Sequence, residues 1–130
     1  MQIFASGFAL LLAAMQGEAY VADGATLVIG GTPVQLSGID VPGPGTPAGA
    51  AARAEVQGIV ARSIVTCRSE GERSGGRVLA TCSAGGADIA ATLVERGLAL
   101  DCAAVSDGRY RSLEPAGTRD RLVQSARCRR

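Results

Sequence analysis

Short apolar runs separated by glycine-rich punctuation follow residue 19, and they predict strands. Thr26–Ile29 (TLVI) is β-branched and apolar, and Val34–Ile39 (VQLSGI) places Val34, Leu36 and Gly38 on one face. Gly30-Gly31-Thr32-Pro33 between them is a turn signal, so the pair predicts a hairpin. Asp23-Gly24 predicts another tight turn, with Ala19–Ala22 as the preceding strand. Asp40 closes the third strand, because Val41-Pro42-Gly43-Pro44-Gly45 continues neither a helix nor a ladder. The period then lengthens. Ala50–Arg62 predicts an Ala-rich helix with Val56, Ile59 and Val60 inward. Ile64–Arg68 and Arg77–Cys82 predict two strands around the turn Ser74-Gly75-Gly76. Asp88 suits the N-cap of a helix over Ile89–Arg96, with Gly97 at its stop position. Leu98-Ala99-Leu100 predicts the short fifth strand, and Ser112–Ala126 a third helix interrupted at Pro115-Ala116-Gly117. No internal repeat is present.

Length fits one domain with one core. Ile3–Ala14 (IFASGFALLLAA) is apolar but too short to span a bilayer, and Gly17-Glu18-Ala19 offers small residues for cleavage. This predicts a signal peptide over residues 1–19, cut after Ala19 or Ala14, and a mature domain over 20–130. The leader lacks Lys and Arg, and no Cys follows its apolar run to carry a lipid anchor. Cys67, Cys82, Cys102 and Cys128 are even in number and lack C-x-x-C metal spacing, which agrees with export to the periplasm or medium. Four cysteines permit three pairings. Folding the strands around Ser74–Gly76 brings Cys67 close to Cys82, leaving Cys102 and Cys128 to tie down the last helix.

Candidate chemistry begins at Asp40. An Asp where a strand opens into a loop suits a metal ligand, and more commonly serves a turn in which it bonds its own backbone. Around it the chain resembles the staphylococcal-nuclease-like (thermonuclease) family. That family opens with a D-G-D-T turn and a hairpin, then a strand R-x-x-x-[IV]-D-x-P-E, a helix, a Y-G-R motif on a strand, and a second helix ending [LV]-V-x-x-G-x-A. Here stand Asp23-Gly24-Ala25-Thr26, Gln35–Gly43 (QLSGIDVPG), Gly75-Gly76-Arg77 and Leu93–Ala99 (LVERGLA) in the same order, over roughly Ala19 to Gln124. The resemblance implies an α+β fold that is mainly β: a five-stranded barrel of the oligonucleotide-binding (OB) type with three helices.

The departures from the family pattern imply lost chemistry. The family holds calcium with the second Asp of D-G-D-T and the Asp of D-x-P-E; Ala25 replaces the first and Asp40 retains the second. The water-activating glutamate is Gly43. Of two phosphate arginines, one is Gln35 and the other survives as Arg77, while the tyrosine of Y-G-R is Gly75. A positioned general base is worth about 10²–10⁴ in rate, and calcium affinity follows ligand charge. Weak calcium binding is the most this set supports. The chain has no His to substitute.

Composition adds little for nucleic acid. The 13 basic residues, all Arg, meet 12 acidic ones for a formal charge of +1, far from the basic domains that bind polyanions by charge. Outside the leader the aromatics are Tyr20 and Tyr110, too few for a stacking platform. The segment from Arg109 to Arg130 is arginine-rich, reading as a solvated helix face with a charged tail or as a surface for an anionic partner. The expectation is an exported monomeric domain without a membrane span. It has lost phosphodiesterase activity and serves as a binding or structural module, with a nucleotide or other anion as a weak ligand. Two alternatives stay open: a residual calcium-dependent nuclease using Asp40, Arg77 and either Asp23 or Glu55, and a disulfide-stapled scaffold that binds through its helices or Arg-rich tail.

Overall fold

The computed structural model describes residues 14–129. The leader expected over 1–19 lies outside the described residues up to position 13. Its last residues are ordered into the sheet, as β1 (Ala14–Gly17) pairs with β6 (Val65–Ser74). One residue later β2 (Ala19–Asp23) begins, and it pairs instead with β3 (Thr26–Ile29). β3 continues to β4 (Thr32–Leu36) through Gly30 and Gly31, with φ of 57° and 80°. That is the doubly left-handed turn which matches strand twist, and glycine adopts it without steric cost. β7 (Arg77–Ala84) then lies between β6 and β4, antiparallel to the first and parallel to the second. The order is β1-β6-β7-β4-β3-β2, with β8 (Ala87–Asp88) on β7. Because β1 and β2 adjoin in sequence, the two ends of this order meet and the sheet curls into a barrel-like α+β fold. Register shifts between Val21 and Asp23 and between Ser69 and Arg73 assist the curl.

The helices close the interior. α1 (Pro47–Val60) starts where Thr46 Oγ1 accepts from Gly49 N at 3.0 Å, with proline at its first position. It buries Ala52 and Val56. α2 (Ile89–Glu95) is capped by Asp88 Oδ1, which accepts from Ala91 N, and buries Ile89, Ala90, Leu93 and Val94. With Leu27, Val34, Leu36 and Val65 these make an aliphatic core in which Tyr110 is the one ring among the described residues. Both disulfides form as expected. Cys67 and Cys82 face each other across β6–β7, and Cys102 joins Cys128; all four are buried.

Three expectations need correction. The third strand does not run on to Asp40, because β4 ends at Leu36 and Ile39–Asp40 form a separate strand. The short strand is β9 (Leu100–Asp101), which pairs with β5 (Ile39–Asp40) as a separate two-stranded ladder rather than as a fifth barrel strand. The third helix over Ser112–Ala126 does not form. A 3₁₀ turn at Arg111–Leu113, α4 (Thr118–Arg121) and a second 3₁₀ turn at Ala126–Cys128 take its place, after a one-turn α3 at Ala103–Ser106. Glu114 before Pro115 is extended, as the proline ring demands, and Gly117 sits at φ 86°. Leu122 then turns extended again, so the amphipathic period has no continuous backbone to ride on.

Candidate functional site

Most of the positions singled out by the resemblance gather where the β2–β3 turn, the end of β4 and the start of α1 meet. A Cβ on Gly24 would lie 2.9 Å from both Ala52 Cβ and Val41 Cγ1, so the Asp23–Ala25 turn packs on α1 and on the segment after β5. Ala25 O accepts from Leu36 N at 2.8 Å, and Gln35 pairs with Thr26 on β3. Gly43 O receives Thr46 Oγ1 at 2.7 Å, and a Cβ on Gly49 would overlap it. Arg77 is exposed at the opening of β7. Gln35 is buried and stands opposite Leu79, so Arg77 lies two residues back along β7, roughly 7 Å from Leu79. Gly75 is in the β6–β7 turn at φ 57°.

The surviving carboxylates have other partners. Asp40 is buried, and its Oδ2 accepts from Ser125 N at 2.7 Å. Asp23 Oδ1 accepts from Ala25 N at 2.8 Å, the turn geometry that its sequence context also permitted. Glu55 pairs with Arg96 at 2.8 Å between α1 and α2. Among the described residues no three His, Cys, Asp or Glu side chains converge. Calcium takes about six to eight oxygens, whereas Ala25 and Gly43 contribute no side-chain oxygen and Asp40 already holds an amide. The residues present do not fit a calcium ion.

The arginines of the last segment mostly fasten it down. Arg119 forks onto Glu114, Nε to Oε1 and Nη2 to Oε2, both at 2.8 Å, and reaches Gln124 Oε1 at 2.9 Å. Arg111 joins the same Glu114 at 3.3 Å. Arg121 donates to Gly97 O and Arg129 to Gln124 O. Gln124 Nε2 donates to Asp101 O at 2.8 Å. Buried Asp101 in turn accepts Ser106 Oγ and Tyr110 N on Oδ1. A tail largely tied to its own carbonyls and carboxylates is a cap on the barrel end.

A second constellation was not legible from sequence. The outward face of β6–β7 bears a groove of about 420 Å³, lined by Thr66, Ser69, Thr81 and Ser83 and by Arg68 and Arg109. Glu70 at its side accepts Ser37 Oγ on Oε1 and Thr81 Oγ1 on Oε2, each at 2.7 Å. Arg109 lies over the ring of Tyr110, 4.7 Å from the centroid, and 4.0 Å from Glu70. Tyr110 is itself fixed, donating its hydroxyl to Asp88 Oδ2 at 2.7 Å. Burial raises its phenol pKa far above the usual value, and the Asp88 carboxylate adds to the rise. Gly38, at φ 85°, admits this ring; a Cβ there would sit 3.0 Å from Tyr110 Cε2.

No protein-family model matches the chain, and no curated protein matches it.

Proposed function

We propose that this is an exported, staphylococcal-nuclease-like domain that has lost efficient phosphodiester hydrolysis and serves as a binding or structural module. The observation that carries the reading is the strand order. An antiparallel meander, β2-β3-β4, pairs in parallel with β7, and β6 returns to the first strand through β1. That circuit agrees with an OB-type barrel in which one bent strand, β1 with β2, supplies both edges. On this scaffold Ala25, Gln35, Asp40 and Gly43 occupy the family's calcium, phosphate and base positions. Asp40 is committed to Ser125, and Asp23 and Glu55, the candidate replacements, are committed elsewhere. No observation favours a residual nuclease.

Export is supported by two disulfides, which persist in oxidising compartments. No helix among the described residues is long and apolar enough to cross a membrane. Of the two cleavage positions, the one after Ala14 keeps Met15–Gly17 for pairing with β6, so we place the mature terminus there. The protein is taken as a monomer.

The test is restoration by Ala25→Asp, Gln35→Arg and Gly43→Glu together. Gly43 lies outside the left-handed region, and a Cβ there meets nothing within 4 Å, so glutamate enters without backbone strain. We expect measurable calcium-dependent cleavage of single-stranded DNA by the triple variant. A folded triple variant that stays inert counts against this assignment of positions.

A further inference from the structure

The groove on the outward face of β6–β7 uses none of the positions that the nuclease-like reading assigns. Its volume lies in the range of small-molecule sites, about 300–1,000 Å³, and the side chains that line it are Thr, Ser, Arg and Glu. An ordinary solvent-facing hairpin leaves its arginines free to sweep. Here half-exposed Arg109 lies over a ring that is itself buried and hydrogen-bonded to Asp88, which narrows the sweep of its fork. Glu70, the acidic side chain of the groove, has both oxygens engaged by hydroxyls and only a 4.0 Å approach to Arg109. Arg68 and Arg109 against Glu70 leave the groove one positive charge in excess.

We propose that this groove binds a small hydroxylated oxyanion, a sugar acid or sugar phosphate. Arg109 and Arg68 take the carboxylate or phosphate, and the hydroxyls of Thr66, Ser69 and Ser83 take those of the ligand body. Guanidinium forks match both anions bidentately. Hydroxyl groups, which donate and accept, match a polyol better than a base edge or an apolar chain. A nucleic-acid strand is disfavoured because the groove has two cations and no exposed ring for stacking. The inference is independent of the nuclease-like reading, because Arg77 lies four residues from Thr81 along β7, roughly 13 Å away.

The experiment is amide chemical-shift titration of the oxidised protein with glucose 6-phosphate, glucuronate, glucose and inorganic phosphate. It is run on the natural chain and on Arg68→Ala, Arg109→Lys and Arg77→Ala, each checked for an intact spectrum. Expected are saturable shifts at Thr66, Thr81, Ser83 and Arg109 with one or both sugar anions, weakened by added salt. Whichever sugar anion binds more tightly identifies the anionic group. Affinity should fall about tenfold in Arg68→Ala, by a smaller factor in Arg109→Lys, and not at all in Arg77→Ala. The proposal is overturned if no probe moves these amides. It is also overturned if inorganic phosphate or plain glucose binds as tightly as the sugar anions, or if Arg77→Ala alone removes binding.

Discussion

Tyr110 joins three separate parts of this molecule. Its hydroxyl holds Asp88, the residue that also caps α2; its ring carries Arg109, and its amide holds Asp101. Replacing it by Phe leaves Asp88 Oδ2 without this donor, at a cost of about 1–3 kcal/mol in stability. We expect the Tyr110→Phe melting temperature to drop by several degrees at neutral pH. The raised phenol pKa adds a pH signature. A group whose folded pKa exceeds its unfolded value contributes stability in full below the unfolded pKa, about 10 for tyrosine. That contribution is lost as pH climbs toward the folded value. Melts at pH 8 and 11 should therefore converge between natural protein and Phe variant on the alkaline side; a gap that stays constant refutes the linkage. Little of this was legible from sequence. Asp88 reads as a helix cap from local spacing, but its second oxygen serves a residue 22 positions away. Thr66, Arg68, Thr81 and Ser83 give the alternating polar signal of any outward strand face.

At the scale of elements, the hairpins and the first two helices follow local rules that the chain displays openly. Gly-Gly pairs mark the turns, Asp88 marks a helix start, and Cys67 and Cys82 are forced together by the hairpin between them. The last segment obeys no local period. Leu122 and Cys128 are buried while Val123 between them is 90 % exposed, and the chain from Leu122 to Arg129 is held by long-range bonds such as Ser125 N to Asp40, 85 residues apart. Its anchor is Cys102–Cys128, a loop of 26 residues whose closure contributes about 3–4 kcal/mol in the chain-entropy account. The double variant Cys102→Ser, Cys128→Ser should lower stability by about that amount and speed hydrogen exchange at the Ser125 amide. Cys67→Ser, Cys82→Ser should destabilise without selectively exposing Ser125. Equal protection of Ser125 in both variants contradicts this division.

For the whole molecule, we propose that a nuclease-like scaffold persists while its phosphodiester chemistry is gone. Arg119, Arg121 and Arg129 do not restore it, because they are engaged by Glu114, Gln124 and backbone carbonyls that cap the barrel end. The most direct measurement is cleavage of single-stranded DNA by the natural, oxidised chain with calcium, with EDTA, and with Asp40→Ala. The account predicts that all three rates equal the protein-free background. Cleavage that requires calcium, stops with EDTA and vanishes in a folded Asp40→Ala variant contradicts it.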